Sequence, residues 1–506
     1  MKLKNLWLSI TSALLMVFSF PNIVEPGLGI HTAFLIWVAY IPLFIAIFSE
    51  EKTINVFMYS TITGLFFYLG GLYWLCAIKP MGIFAYVAWF ALSSYLTILF
   101  AAAAGIARLI SKKYKISLFF SFPVVFVIFD YIREWLFSGC SFLTPAQSQF
   151  QNIFLIQTAS VTGLYGIVFL IVVVNAFLAL LWMKKTEEIK SPQGALVFAI
   201  AAVILVFSAM GYMAPEKQGR IKIKTAILQP DINQDVEWNS AYKKKVLEVF
   251  KELSDKIKNE KIDLVVWPES GFPGFLQHEK SDTKAIAAWT GNRAYTLVGG
   301  DYYERASDKN YLYYNSVFVV DPKGKLINRY DKRHLVPFGE YVPFEHVFTF
   351  IRKVVRRYGF NGFEFGKKVE PLNLGQYKAG ALICYDSLFP EISRETVKKG
   401  AGILAHLSYE TWYGKGPASA QVFTNTILRA VENHVYIVRS VASGISGIVT
   451  DRGKIVGTTG LFKRETLVAE VYINDTKTFY TKYGDVFVYL LFLLMAVFIG
   501  IKVVKK

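Results

Sequence analysis

Residues 381–390 read Ala-Leu-Ile-Cys-Tyr-Asp-Ser-Leu-Phe-Pro, an apolar run that leads straight into a lone thiol at Cys384. The apolar run is typical of a buried β-strand, and the polar residues after it indicate a turn. A free cysteine is usually a small buried hydrophobic residue. Cys384 becomes a candidate nucleophile if other strands deliver charged side chains to the same place.

The run belongs to an alternation of short apolar runs and amphipathic stretches that follows a polar linker at 214–220. β-branched runs predict strands at 224–228, 263–267, 296–299, 316–320, 379–383, 402–407, 435–439 and 467–473. Helical patterns lie at about 240–259, 282–293, 390–399 and 418–433, and a hairpin within 447–457 turns at 451–453. This alternation predicts an α/β domain of layered sheets covered by helices, spanning 218–481.

The rest of the chain is unusually apolar. The 506 residues are 54% hydrophobic and 16% aromatic, which excludes an ordinary soluble enzyme. Stretches of about 20 apolar residues, long enough to cross a bilayer, lie at about 6–24, 31–49, 54–78, 83–110, 117–137, 154–183, 195–213 and 486–503. They predict a transmembrane domain of seven helices over 1–213 and a last transmembrane helix with a cytoplasmic tail over 485–506, about eight helices in all.

The placement of Lys and Arg predicts the orientation of these helices. Cations cluster at 2–4, 52, 108–115, 184–190 and 502–506, whereas the loops around 25–30, 79–82 and 138–153 carry almost none. Cytoplasmic loops are rich in Lys and Arg, so we expect a multi-pass membrane protein with both termini in the cytoplasm and the α/β domain outside it. The net charge of +17 then reflects membrane anchoring, and we expect no nucleic-acid partner.

Two more charged residues are expected at strand ends in the α/β domain, Glu269 after the run 263–267 and Lys332 in the segment 330–343, which also presents Glu340. Strand ends gather in one crevice of an α/β fold. There Glu269 would take the thiol proton, and Lys332 with a backbone N–H near Tyr385 would stabilise an oxyanion. Structural interpretations stay open, namely a helix cap for Glu269 and a surface ion pair for Lys332. The six histidines show no zinc spacing, so we expect neither metal nor cofactor.

Several segments resemble the Glu-Lys-Cys enzymes of the nitrilase superfamily. They are WPES at 267–270, YDKRHLVPFGEYVP at 330–343, ICYD at 383–386 and RAVENHVYIVRSVASGISG at 429–447. Joined to a multi-helix membrane domain, the chain is similar to the apolipoprotein N-acyltransferase family of the bacterial cytoplasmic membrane. Further segments that fit this family are LYWL at 72–75, REWL at 133–136, QTASVTGLYGI at 157–167 and QPDINQDVEW at 229–238. The resemblance implies a nitrilase-like αββα sandwich for the α/β domain.

The resemblance also implies a mechanism. Cys384 would take an acyl chain from the sn-1 ester of a membrane phospholipid, with Glu269 as general base, and form a thioester. The acceptor would be the N-terminal α-amino group of a diacylglyceryl-cysteine in an apolipoprotein. Lys332 would stabilise the oxyanion, Glu340 would support Lys332, and Tyr385 would shape the pocket. The expected protein is a monomer without a cofactor.

The chain departs from the family pattern at several places. Asp386 stands where the family usually has Glu after Cys-Tyr, which shortens a supporting carboxylate by one methylene. Tyr409 and Glu410 stand where the family usually has Asn and Asp, and the region around Cys140 lacks a Gly-Pro-Trp pattern. The Glu-Lys-Cys set remains intact, while the acceptor and the donor preference stay open.

A site that serves two lipids must open at the bilayer surface. Residues 350–365 alternate aromatic residues with cations such as Arg352 and Arg356, and predict an arm that contacts phospholipid head groups. A solvated charged loop is the alternative. Trp412 and Tyr413 are candidates for the acyl entrance, although aromatic residues at such spacing also occur in protein cores.

Other functions remain open at this point. A membrane-tethered nitrilase-type amidase shares the three residues but has no use for eight helices. A divergent paralogue that acylates another amine fits the departures at Asp386 and Tyr409. A transporter or scaffold is disfavoured, because the apolar stretches carry few charges other than Asp130, Arg133 and Glu134.

Overall fold

The computed structural model describes residues 2–29, 31–78, 81–214, 221–232, 240–307, 310–343 and 362–504. The chain divides into two compact units, which we call the helical unit and the sheet unit. The helical unit comprises Met1–Pro215, Trp412–Leu428 and Tyr483–Lys506, and the sheet unit comprises Glu216–Thr411 and Arg429–Lys482.

One segment groups differently from the predicted domain bounds. Trp412–Leu428 lies inside the predicted α/β domain but belongs to the helical unit. Within it, Gln421 donates to the carbonyl oxygens of Pro21 at 2.9 Å and Gly71 at 3.0 Å, and accepts from the indole N–H of Trp74 at 3.0 Å. Composition cannot reveal such a grouping, because it rests on buried hydrogen bonds between residues far apart in the sequence.

Apolar helices make up the helical unit. Among the described residues, five are long and apolar enough to cross a bilayer, namely Thr53–Gly71, Ile83–Tyr114, Tyr165–Trp182, Pro192–Met213 and Val486–Val504. Shorter apolar helices lie at Leu3–Phe18, Ala33–Phe48, Leu118–Ile132 and Ile153–Thr162. The multi-helix domain is confirmed, and the predicted stretches 6–24, 31–49 and 117–137 coincide with helices below the length of about 20 residues that a span needs.

The predicted stretch 154–183 is not one continuous helix. It forms helices at Ile153–Ile156, Ala159–Thr162 and Tyr165–Trp182. Asn152 starts the first helix by accepting the backbone N–H of Leu155 at 3.1 Å. Gly163 ends the second with φ +62° and ψ −171°, a conformation open to glycine that a helix cannot continue through.

The sheet unit holds the strands of the described chain. They are β1 (Ile221–Gln229), β2 (Leu264–Val266), β3 (Tyr295–Ser307), β4 (Asn310–Val320), β5 (Leu326–Asp331), β6 (Leu372–Leu374), β7 (Tyr377–Ile383), β8 (Ile403–Ser408), β9 (Tyr436–Val441), β10 (Gly447–Val449), β11 (Ile455–Thr458) and β12 (Glu465–Ile473). They form two six-stranded sheets, ordered β12-β1-β2-β3-β4-β5 and β11-β10-β9-β8-β7-β6. The central strands β1-β2-β3 and β7-β8-β9 are parallel, so each sheet has an edge where strand carboxyl ends gather.

The two sheets pack face to face between helices. Strand β9 packs on β1 and β2, and β7 packs on β4. Ser240–Ile257 and Lys280–Trp289 cover the first sheet, and Pro390–Lys398 covers β7. The predicted αββα sandwich is confirmed.

The helix Ser240–Ile257 holds one end of the site in place. Its buried side chains recur with helical spacing at Tyr242, Val246, Val249, Phe250, Leu253 and Ile257. The ring of Phe250 stacks on that of Trp267, with centroids 3.7 Å apart and planes inclined by 3°. Because Trp267 directly follows β2 and precedes Pro268 and Glu269, this packing positions the strand end that carries Glu269.

Strands with polar residues were the hardest to predict. The hairpin within 447–457 is confirmed by the antiparallel pairing of β10 with β11. Strands β5 and β6 were not predicted, and β6, with three residues, is too short to show a period. Strands β3 and β4 extend far beyond 296–299 and 316–320, where Tyr302 faces Tyr314 across the ladder. Cross-strand aromatic pairs stabilise such a ribbon. Polar residues between the aromatic ones interrupt the apolar alternation by which strands are predicted from the sequence.

Candidate active site

Each of the predicted catalytic residues follows the end of a strand in the sheet unit. Glu269 comes three residues after β2, Lys332 directly follows β5, and Cys384 directly follows β7. Strands β2 and β5 belong to one sheet and β7 to the other. The candidate base and cation therefore come from one layer of the sandwich, and the candidate nucleophile comes from the opposite layer.

Glu269 is buried, and hydrogen-bond donors contact both of its oxygens. Oε1 accepts from Asn315 Nδ2 at 2.7 Å and from Lys332 Nζ at 3.2 Å, and Oε2 accepts the backbone N–H of Tyr409 at 2.8 Å. Burial raises the pKa of Glu269, as does the nearby charge of Glu340, and the opposing effect of Lys332 does not cancel this rise. A carboxylate with a raised pKa is a better proton acceptor.

Lys332 is an ammonium enclosed by carboxylates, with its side chain only 1% exposed. Nζ lies 3.2 Å from Glu269 Oε1 and 2.9 Å from Glu340 Oε1. Burial lowers the pKa of Lys332, but the two carboxylates raise it by more, so the pKa lies well above its ordinary value. The side chain of Lys332 therefore stays protonated.

Asn315, on β4, links the two carboxylates. Its Nδ2 donates to Glu269 Oε1 at 2.7 Å and to Glu340 Oε1 at 3.0 Å. Glu340 Oε2 in turn accepts the backbone N–H of Val336 at 2.8 Å, which closes the loop after β5. Asn315 was not predicted from the sequence. The only local signal for it is a polar amide directly before the apolar run 316–320.

Cys384 stands in a constrained turn. Its φ of +47° lies in the left-handed region, which residues other than glycine rarely adopt. Cys384 also begins a 3₁₀ turn, Cys384–Leu388. Desolvation and the charge of Glu269 raise the pKa of its thiol to about 12, although Lys332 and a hydrogen bond with Ser408 lower it. The resting thiol is therefore protonated and needs a base.

Asp386 is fully buried and holds the turn of Cys384 in place. Oδ1 accepts the backbone N–H of His334 at 2.9 Å. Oδ2 accepts the hydroxyl of Tyr330 at 2.9 Å and the backbone N–H of Ile383 at 3.0 Å. Asp386 thus ties the end of β7 to the end of β5, and the short carboxylate fits this task.

Tyr385 and Tyr409 belong to the same region of the sheet unit. Tyr385 packs edge-on against Phe389, with ring centroids 5.1 Å apart. Tyr409 contacts Glu269 through its backbone N–H. Every residue except proline has that N–H, so replacing the family's usual asparagine with tyrosine leaves this contact unchanged.

The structure places the predicted lipid-access residues only in part. Tyr413 belongs to the helical unit, where its ring packs on Trp74 with centroids 4.8 Å apart. Trp412 begins the same segment. Arg352 and Arg356 lie outside the described residues.

The site combines a thiol, a carboxylate of raised pKa and a buried ammonium, which are the groups that nucleophilic acyl transfer needs. A further carboxyl group, that of Asp301 on β3, is close enough to be affected by these charges. Burial, together with the negative charges of Glu269 and Glu340, raises the pKa of Asp301 to about 7. In the described part of the chain, no group of three or more His, Cys, Asp or Glu side chains is placed to hold a metal ion.

Two family profiles match the chain. The carbon-nitrogen hydrolase profile matches residues 224–480, and the apolipoprotein N-acyltransferase N-terminal domain profile matches residues 12–177. The first contains all three candidate catalytic residues. The second covers most of the apolar N-terminal part.

Curated relatives match over nearly the whole length. The apolipoprotein N-acyltransferase of Geobacter metallireducens is 32% identical over 95% of this chain and 92% of its own. Apolipoprotein N-acyltransferase 1 of Treponema denticola is 27% identical over 96% of this chain and 93% of its own. Among solved structures, Nit3 of Saccharomyces cerevisiae, a member of branch 10 of the nitrilase superfamily, covers 51% of this chain and 93% of its own at 22% identity, with a TM-score of 0.38.

Proposed function

Because this chain belongs to the apolipoprotein N-acyltransferase family, we propose that Cys384 carries a fatty acyl group from a membrane phospholipid to a lipoprotein amine. The chain is a membrane-embedded N-acyltransferase, and lipoprotein N-acylation is its general activity. The finer proposal concerns the donor, the intermediate and the acceptor. The donor is the sn-1 ester, the intermediate is a thioester on Cys384, and the acceptor is the α-amino group of diacylglyceryl-cysteine.

The observation that carries this proposal is the pairing of Glu269 with Lys332 beside a protonated thiol. In the first half-reaction Cys384 Sγ attacks the ester carbonyl while Glu269 takes the thiol proton. Lys332 and the backbone N–H of Tyr385 stabilise the oxyanion. The ester C–O bond then breaks, and Glu269 returns the proton to the oxygen of the departing lysophospholipid.

The second half-reaction uses the same groups in the same order. The neutral α-amine attacks the thioester carbonyl, and Glu269 takes a proton from the amine nitrogen. The C–S bond breaks, the amide forms, and the thiolate of Cys384 regains the proton from Glu269. The transfer is favourable because the amide product is more stable than the thioester, and the proton from Glu269 neutralises the departing sulfur.

The donor half is tested with purified full-length protein and phospholipid labelled in the sn-1 chain. The expected result is a label on Cys384 that hydroxylamine removes, since hydroxylamine cleaves thioesters. Lipid labelled only in the sn-2 chain is the matched substrate control, and Cys384→Ala is the matched protein control. Wild-type protein that stays unlabelled, or that takes up the sn-2 label equally, contradicts the proposed donor step.

The acceptor half is tested by adding a diacylglyceryl peptide to the labelled enzyme. We expect the label to move to the peptide when its α-amine is free and to remain on the enzyme when that amine is acetylated. Transfer to unrelated amines but not to this peptide would favour the divergent paralogue. Release of ammonia from small amides without any transfer would favour the amidase.

A further inference from the structure

A buried network beside Cys384 takes no part in the mechanism above. His406 on β8 and Arg439 on β9 are completely buried, and the side chain of Glu410 pairs with Arg439. The network reaches the thiol of Cys384 through Ser408, whose Oγ donates to Glu410 Oε1 at 3.0 Å, and the backbone of Cys384 through His406. His406 Nε2 lies 3.2 Å from the backbone carbonyl oxygen of Cys384.

The contacts of His406 with Arg439 and Cys384 determine its charge and which of its nitrogens carries the proton. Nη1 of Arg439 lies 2.9 Å from His406 Nδ1 and 3.5 Å from Nε2, Nη2 contacts Glu410 Oε1, and Nε donates to the carbonyl of Ile445 at 3.1 Å. A carbonyl oxygen can only accept, so Nε2 is the donor in the 3.2 Å contact with Cys384. Burial and the charge of Arg439 lower the pKa of His406 well below its ordinary value, so the ring is neutral. Its single proton therefore sits on Nε2 and is donated to the carbonyl of Cys384.

This hydrogen bond acts on a peptide group that is already held in an unusual conformation. Cys384 has φ +47°, and its carbonyl also accepts from the hydroxyl of Ser387 at 3.0 Å. The carbonyl of Cys384 and the N–H of Tyr385 belong to one planar trans unit and point to opposite sides of it. Whatever fixes the carbonyl therefore fixes the direction of the Tyr385 N–H, which is the proposed oxyanion donor.

We propose that His406, packed against Arg439 and donating from Nε2, is a positioning residue that aims the Cys384–Tyr385 peptide at the oxyanion. The inference rests on the acyl transfer proposed above and adds to it the group that orients one of its donors. The sequence gives no local signal for this role, because His406 is a single polar residue inside the predicted strand 402–407.

Two substitutions test the hydrogen bond from the imidazole to the carbonyl of Cys384. In His406→Asn, the side chain keeps a polar amide beside Arg439 but is too short to reach that carbonyl. In His406→Gln, an amide N–H stands near the former Nε2 and can donate to that carbonyl. The pair differs by one methylene and by the bond under test.

Two rates are measured on Cys384 in the full-length protein in detergent micelles. The first is acylation by phospholipid labelled in the sn-1 chain, which passes through an oxyanion. The second is alkylation by iodoacetamide, which displaces iodide and forms none. We expect His406→Asn to acylate about 100-fold more slowly, the usual effect of losing one oxyanion donor, with unchanged alkylation. His406→Gln should recover most of the acylation rate.

The outcomes against the inference are distinct. An Asn variant that acylates at the wild-type rate overturns it, and so does a parallel fall in acylation and alkylation, which indicates general distortion. Wild-type protein that is never acylated overturns the proposed function and this inference together. A second measurement is the ¹⁵N spectrum of the histidine-labelled wild-type protein, in which the signal that is absent from His406→Gln belongs to His406. A neutral Nε2–H ring is expected, and a charged ring or an Nδ1–H ring overturns the inference.

Discussion

At the scale of single residues, Asn315 stabilises the ionised form of Glu269, the candidate base, by donating a hydrogen bond to it. Replacing it in Asn315→Leu removes an N–H donor from Glu269 and Glu340. A carboxylate that loses a donor is harder to ionise, so the pKa of Glu269 should rise further. A hydrogen bond to a charged group contributes about 1.5–3 kcal/mol, which corresponds to about 1–2 pKa units.

We therefore expect Asn315→Leu to move the acidic limb of the acylation rate to higher pH by about 1–2 units. The sign follows because a protonated Glu269 cannot accept the thiol proton, and activity is lost as the pH falls through its pKa. Single-turnover labelling of Cys384 between pH 5 and 9 measures the shift. Asn328→Leu on β5 is the control, with an unchanged profile, and an unshifted limb in Asn315→Leu counts against Glu269 as the base.

The length of the Asp386 side chain is constrained by its buried surroundings. The family usually carries glutamate there, yet Asp386→Glu should destabilise this chain, because its carboxylate is fully buried and already receives three hydrogen bonds. An added methylene in such a site costs about 1–3 kcal/mol. Thermal unfolding in detergent measures it, with Tyr330→Phe as the control that removes one hydrogen bond and adds no volume. Equal or higher stability of Asp386→Glu would contradict this account of the turn.

At the scale of elements, β3 passes so close to the segment after β2 that no side chain fits at Gly299. A Cβ on Gly299 would lie 2.4 Å from the carbonyl oxygen of Pro268 and 2.7 Å from Cα of Glu269. A Cβ on the neighbouring Gly300 would meet nothing closer than 3.5 Å. The two glycines therefore differ in how strongly they constrain the loop that carries the base.

Gly299→Ala should displace Glu269 and reduce acylation by about 100-fold, since a shift of about 1 Å in a catalytic group has that effect. Gly300→Ala is the matched control and should acylate at nearly the wild-type rate. Both variants are compared by single-turnover labelling and by melting temperature. Similar rates for the two would indicate that the loop adapts and that its position is not set by β3.

At the scale of the whole molecule, the membrane orientation remains a prediction from charge placement. The basic clusters on alternate connections predict cytoplasmic termini and a sheet unit on the outer side of the membrane. Alkaline phosphatase fused after Asn474 should be active, and the same enzyme fused at the C-terminus should be inactive. Green fluorescent protein at these two positions should give the opposite pattern, and the reverse result for the pair contradicts the orientation.

Local patterns were sufficient for much of this molecule. The apolar stretches predicted the multi-helix unit, and the alternation of strands and helices predicted the layered sheets. The motifs around Glu269, Lys332 and Cys384 predicted the family, which the matches to curated relatives confirm. Each of these inferences depends on residues close together in sequence, where hydrophobic period and turn chemistry act directly.

The tertiary structure alone decided the rest. Only the folded chain brings Asn315 between two carboxylates, groups Trp412–Leu428 with the helical unit, and sets the imidazole of His406 between Arg439 and the backbone of Cys384. These contacts join strands and segments far apart in sequence. A polar side chain gives no local sign of the partner that satisfies it, because burial and the demand for a hydrogen bond arise only when the layers pack together.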